Sequence, residues 1–188
     1  MRIIAGQFRG LSLAGVGKGD IGAHLRPTSD RVRESLFNVL NGHGVLSEAH
    51  VLDLFAGTGA MGLEALSRGA TDATFVDSGG KAAQLIRQNI ALTRTKTQTR
   101  LIRSDVRKLP ANTGPVCDVV FLDPPYGKGL GQIALNVAQE QGWIASQALI
   151  VWEESTPQIA PEGLTVLDKR RYGDTHVTIM QGNGPVLA

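Results

Sequence analysis

The spacing of apolar and polar positions divides the chain into two regimes. From about residue 49 onward, short apolar runs alternate with stretches of helical period, the pattern of a parallel sheet covered on both faces. The runs predict strands at 49–54, 72–77, 99–103, 117–122 and 147–153, and the stretches between them predict helices near 59–68, 79–92 and 128–140. In the last of these, Leu130, Ile133, Ala134, Val137 and Ala138 form one stripe, the side expected to pack on the sheet. The chain ends differently. Leu164 to Arg171 and Thr175 to Gln181 flank the turn residues Gly173 and Asp174 with no helical period, which predicts a closing antiparallel hairpin.

Ahead of residue 49 the pattern is looser. Arg2 to Ala5 and Arg9 to Leu13 read as two short strands joined through Gly6 and Gln7. After a glycine-rich stretch, Pro27 and Thr28 precede a helix in which Val32, Leu36, Val39 and Leu40 repeat at helical spacing behind a threonine or serine cap. That reading places Arg31 and Arg33 on the helix flanks. No repeat or long linker interrupts residues 35–188, so two units are expected: an N-terminal extension over 1–34, and one α/β domain over 35–188.

Composition narrows the classes. The 188 residues are 42% hydrophobic, enough for one core-bearing domain, and no apolar run approaches the roughly 18 residues of a membrane span. The start, Met-Arg-Ile-Ile, lacks the apolar segment of a secretory signal, so a cytoplasmic location is expected. Cys117 is the only cysteine, and His24, His43, His50 and His176 show no paired ligand spacing; no metal site is expected. No oligomer interface is signalled, and a monomer is expected.

Charge is uneven beneath a net of +2. The balance is +3 over residues 1–34, −4 over 35–80, +7 over 81–108 and −4 over 109–188. Basic blocks of this kind attract polyanions through counterion release. In the first block Arg2, Arg9, Lys18, Arg26, Arg31 and Arg33 are interleaved with glycines and Phe8 rather than with acids, which suits a polyanion partner.

Two motifs carry chemistry. The first, Asp53-Leu54-Phe55-Ala56-Gly57-Thr58-Gly59-Ala60-Met61-Gly62, runs from a strand into a helix, where open α/β sheets bind ligands. The glycines alone also satisfy a dinucleotide fingerprint, and Asp77 suits a ribose in either case. Asp53 separates the readings: a carboxylate four residues before Gly57 suits a cationic amine and sits badly beside a pyrophosphate. Asp105 follows the third strand, so Asp53, Asp77 and Asp105 are expected along one sheet edge, within reach of one adenosine-bearing ligand.

The second motif, Asp123-Pro124-Pro125-Tyr126, follows the strand ending at Leu122. Two prolines stiffen the chain where the strand stops. They present the Asp123 carboxylate and the Pro124 carbonyl as fixed acceptors beside the Tyr126 ring. An exocyclic amine on a planar base needs two acceptors and a stacking surface, and this arrangement offers both.

Together the two motifs resemble those of S-adenosylmethionine-dependent methyltransferases that modify base amino groups. The segments Arg2-Ile3-Ile4-Ala5-Gly6, Arg9-Gly10 and Arg26-Pro27-Thr28-Ser29-Asp30-Arg31-Val32-Arg33-Glu34-Ser35-Leu36-Phe37-Asn38 are similar to the RsmD family. That resemblance implies transfer of a methyl group to N2 of guanine 966 of 16S ribosomal RNA, with naked RNA or the assembled 30S particle as partner. It implies a Rossmann-like class I sheet with an antiparallel terminal strand, no metal and S-adenosylmethionine as cofactor. Asp53 and the run Gly57, Thr58 and Gly59 would face its methionine part, Asp77 the ribose hydroxyls and Asp105 the adenine, with Phe55, Ala56, Gly62, Ser78 and Val106 also binding the cofactor. Asp123, Pro124, Pro125 and Tyr126 would hold the target base, and Arg2, Arg9, Arg26, Thr28, Arg31 and Arg33 would contact the surrounding RNA. Where the family often has glutamate this chain has Asp77, followed by Ser78-Gly79-Gly80. Other readings are a DNA adenine-N6 methyltransferase, an NAD-linked oxidoreductase and a non-catalytic RNA-binding module.

Overall fold

The computed structural model describes residues 1–15 and 28–183. Seven strands, β1 (His50–Leu54), β2 (Asp72–Val76), β3 (Thr99–Ile102), β4 (Cys117–Leu122), β5 (Ile144–Glu154), β6 (Leu164–Tyr172) and β7 (Thr175–Gly182), form one sheet in the order β3-β2-β1-β4-β5-β7-β6. The first five are mutually parallel, and β7 lies antiparallel between β5 and β6. This is the Rossmann-like α/β architecture that the alternating pattern and the resemblance imply. β5 begins earlier than residue 147, because its first residues pair with Cys117 ahead of a register shift.

Helices α1 (Asp30–Gly42), α2 (Ala60–Ser67) and α3 (Gly80–Thr93) cover one side of the sheet, and α4 (Leu130–Glu140) covers the other. Alternation along each strand assigns the residues. Val51, Phe75, Phe121 and Val151 meet Leu36, Phe37, Leu63 and Ile86 of the first three helices. Leu52, Leu54, Val120 and Leu122 meet Ala134, Leu135 and Ala138 of α4. The near-continuous apolar strands follow from this double covering. None of the described helices is long and apolar enough to cross a membrane.

The N-terminal region departs from expectation in two ways. The two strands reduce to a single bridge, Arg2 with Ser12, flanked by Ile3 N–H to Leu11 O at 2.9 Å and Leu13 N–H to Met1 O at 3.1 Å. The ladder stops because the next donors are taken by α2. Glu64 accepts from the Ile4 and Ala5 amides at 2.7 and 3.1 Å, and Ser67 accepts from Gln7 and Phe8.

The second departure is Arg33. The Ser29 hydroxyl caps α1 by accepting from the Val32 amide at 3.3 Å, as a serine cap should. The buried stripe of the helix is Arg33, Leu36, Phe37 and Leu40, with Val32 and Val39 only half-buried. Arg33 is 0% exposed, so it does not contact RNA phosphates as the flank position implied. Its guanidinium donates to Arg2 O at 2.7 Å and to Asp30 at 2.6 Å, and lies 3.9 Å from Glu64. A buried cation is tolerable only when paired in this way, and here the pairing fixes the first residues of the chain to α1.

Candidate functional site

Strand order reverses between β1 and β4, the point where open α/β sheets form a ligand crevice. Both motifs end there. Asp53 is the penultimate residue of β1, while Asp77 and Asp123 directly follow β2 and β4, and Asp105 follows β3 after two intervening residues. The edge expected to gather these acids does so.

The chain leaves β1 through Phe55, which holds a left-handed φ of 59° that a bulky residue adopts at a cost of about 1–3 kcal/mol. Two bonds brace the turn: Ala56 N–H to Val76 O at 3.1 Å, and Gly59 N–H to Ala56 O at 2.7 Å. Gly59 then caps α2 at φ 76°, a conformation that favours glycine. Gly62 has a different reason for being glycine, since a Cβ there would lie 2.5 Å from the Phe75 ring. The third glycine thus serves helix-to-strand packing. Thr58 is buried, and its carbonyl accepts from Asn89 at 2.9 Å. The same Asn89 amide brackets the backbone of Ala14, tying the N-terminal segment to the glycine turn.

Asp53 is 3% exposed, and one oxygen accepts from the Gly62 amide at 3.0 Å. Burial pushes its pKa up to about 8, with Asp77 and Glu153 adding repulsion. A buried carboxylate of this kind favours a cationic ligand over an anionic one. Asp77 accepts from Gly57 at 2.9 Å and Gly79 at 2.8 Å, and so closes the turn from the neighbouring strand. Ser78 beside it is exposed.

Asp105 accepts from the Arg107 side chain and from the Arg107 amide at 2.9 Å, and these contacts hold its pKa down to about 2. Its carboxylate is therefore already engaged by Arg107. Val106 is buried against the α4 side of the core.

At the end of β4 the Asp123 amide lies 3.5 Å from Leu54 O, the last rung toward β1. Asp123 is half-buried, Pro124 buried and Pro125 exposed. The Tyr126 hydroxyl lies 3.3 Å from Thr175 Oγ1, so the ring is held against the first residue of β7. Glu154 anchors the other side of this loop, accepting from the Gly127 amide at 3.1 Å.

The basic residues do not share one place. Arg2 is exposed and 3.4 Å from Asp30, and Arg31 is exposed in the first turn of α1. Both sit at the start of α1, next to the segment whose Thr28 reaches Glu153. Arg9 lines a surface hollow with Leu92, Thr93 and Gln98 at the far end of α3. Arg26 lies outside the described residues. Thr28 donates to Glu153 at 3.2 Å and 3.4 Å, and Glu153 is 4% exposed with its pKa pushed up to about 7 by burial. Glu153, Glu154, Asn89 and Thr175 were not singled out from the sequence. The one available signal was the pair of acids closing the apolar run that ends at Trp152.

Residues 1–181 match the family model described as "Conserved hypothetical protein 95". The Ribosomal RNA small subunit methyltransferase D of Escherichia coli (strain K12) is 40% identical over 161 residues, covering 86% of this chain and 78% of that protein. The protein of the same name from Haemophilus influenzae is 38% identical over 179 residues, covering 92% and 89%. A solved structure named "Putative methyltransferase yhhF from Escherichia coli" superposes with a TM-score of 0.84 at 36% identity, covering 98% of this chain and 99% of the other.

Proposed function

Because the chain belongs to the ribosomal RNA small subunit methyltransferase D family, we propose that it transfers a methyl group from S-adenosylmethionine to the N2 amine of a guanine in small-subunit ribosomal RNA. One observation carries the reading: the buried Asp53 with its glycine turn and the Asp123-Pro124-Pro125-Tyr126 loop end adjacent strands, β1 and β4, at the sheet's switch point. Cofactor crevice and base acceptors then share one edge.

The residues fit S-adenosylmethionine. Asp53 would offer its second oxygen to an ammonium group, Asp77 at the end of the neighbouring strand a carboxylate to the ribose hydroxyls, and the turn at Gly57 and Gly59 a backbone without side chains in the way. The cofactor, when bound, supplies a methyl group on a positively charged sulfur. The Asp105 carboxylate reaches an adenine amine only by loosening its grip on Arg107, so the backbone around Val106 is the readier adenine contact.

The protein's own part is to hold the amine in line. The guanine N2 lone pair is delocalised into the ring, which makes orientation the first contribution. Acceptance of its hydrogens by Asp123 and the Pro124 carbonyl favours a more pyramidal nitrogen, and stabilises the positive charge that develops during attack. Tyr126, fixed by Thr175, offers a stacking surface. Arg2 and Arg31 contact phosphates of the flanking RNA, with Arg9 reaching a more distant part of it.

The test is methyl transfer from labelled S-adenosylmethionine to small subunits, naked small-subunit RNA and DNA, all from cells lacking the gene, with the product nucleoside identified by mass spectrometry. N2-methylguanosine in the RNA is expected. N6-methyladenine in DNA, or cofactor binding without transfer, would replace this reading.

A further inference from the structure

Glu153 is a carboxylate that the reaction described above does not use. It lies on β5, and the β4–β5 register pairs Leu122 with Trp152, so the next residues, Asp123 and Glu153, stand side by side at the same edge. Strands in a sheet are about 4.8 Å apart. Asp123 continues the alternation of Phe121, and Glu153 that of Val151, both on the α1 side of the sheet. Glu153 is 4% exposed, and among the described residues its hydrogen-bond partner is the Thr28 hydroxyl, with no cation paired to it. Burial lifts the Glu153 pKa to about 7; once ionised above that pH, the carboxylate has about four acceptor sites, and one hydroxyl donor fills only part of that capacity. A buried acceptor left underused beside the residue that takes the target amine calls for a second donor from the substrate.

Guanine has one in the right place. Its N1–H lies next to the N2 amine on the Watson–Crick edge, whereas adenine presents a bare N1 acceptor beside its N6 amine. The Asp-Pro-Pro-Tyr loop serves either amine, so it does not choose between the bases; a neighbouring carboxylate does. We propose that Glu153 is a specificity-determining residue that accepts the N1–H of the target guanine while Asp123 accepts from N2. A base with an unprotonated N1 sets lone pair against lone pair there, and sites built to hydrogen-bond a substrate group reject analogues that lack it. Thr28, which opens the path into α1, orients the Glu153 carboxylate for this contact.

The inference rests on the guanine-N2 reading and is tested with a base that keeps the amine but lacks the N1 hydrogen. Once the methylated guanosine is located, small-subunit RNA carrying 2-aminopurine at that position is compared with the guanine form at about pH 8, above the Glu153 pKa of about 7, using the wild-type protein and Glu153→Gln. The glutamine is isosteric and its amide can donate to N1. The wild type should prefer guanine by at least about tenfold in kcat/KM, the loss expected for one hydrogen bond to a charged group. Glu153→Gln should shrink that preference about tenfold, since analogue and variant compensate each other. Equal use of both bases by the wild type overturns the inference without recourse to any variant. An unchanged preference in a folded, active Glu153→Gln protein overturns it as well. Absence of N2-methylguanosine from the wild-type reaction removes the guanine reading itself, and this inference with it.

Discussion

The Asp53 carboxylate accepts a hydrogen bond from the Gly62 amide at 3.0 Å, joining the first and last residues of the glycine motif across the start of α2. One carboxylate oxygen is thereby spent on the helix. A motif that reads as a string of glycines is thus a closed ring of strand end, turn and first helical turn.

Burial, only partly offset by this bond, sets a pH dependence. Asp53 rises from an ordinary 3.8 to about 8, so between roughly pH 4 and pH 8 the folded chain keeps a proton that the unfolded chain has released. Stability contributed by that proton is present at low pH and falls as pH rises through this window. Glu153, raised to about 7, adds to the same trend. Asp53→Asn retains an oxygen for Gly62 and should flatten the decline in melting temperature on the alkaline side. A cationic ligand selects the ionised form, so calorimetry should show S-adenosylmethionine affinity increasing with pH toward about 8 in the wild type and weak, pH-independent binding in Asp53→Asn.

Gly62→Ala sets helix propensity against a clash. Alanine gains up to about 1 kcal/mol over glycine within a helix, but its Cβ would meet the Phe75 ring at 2.5 Å, and Phe75 is fully buried. Overpacking costs about 1–3 kcal/mol, so a net loss of stability is expected in urea denaturation. Phe75→Leu in the same chain should recover part of it, which separates the clash from any other effect of the alanine.

Arg31 and Arg33 lie two residues apart and should behave oppositely. Removing Arg33 takes one of two cations from Asp30 and from Glu64, which keep Arg2 at 3.4 Å and Arg68 at 2.8 Å, and empties the space of a fully buried side chain, a loss that costs about 2–5 kcal/mol in a core. Arg33→Ala should therefore lower the melting temperature strongly. Arg31→Ala should leave stability within about 0.5 kcal/mol while reducing RNA affinity and the steepness of its salt dependence. Melting curves and filter-binding titrations at several salt concentrations decide both.

Asp123→Ala should lower the rate of methyl transfer by about 10²–10³, the usual effect of losing one preorganised electrostatic contact, and leave S-adenosylmethionine binding unchanged. Transfer at the wild-type rate would remove Asp123 from the proposed mechanism. Tyr126→Phe keeps the ring but loses the 3.3 Å contact with Thr175; it should retain most activity if stacking is the ring's role.

The sequence by itself determined the element order, the glycine turn after the first long strand and the proline-stiffened acceptor loop after the fourth. Each of these depends on local physics: the period of apolar positions, the φ angles glycine permits and the way proline ends a strand. Even the edge that gathers Asp53, Asp77, Asp105 and Asp123 follows, because parallel strands send all their carboxyl ends one way. Tertiary structure alone decided the rest. Arg33 and Arg31 are the same residue type on one helix, and only the arrival of Arg2, Asp30 and Glu64 makes one a core residue and leaves the other at the surface. The N-terminal strands shorten because Glu64 and Ser67, about 60 positions away, compete for their amides. Glu153 meets Thr28 across 125 positions, and neither segment carries a local pattern that announces the other. Burial of a charge depends on partners, and partners are a property of the folded chain.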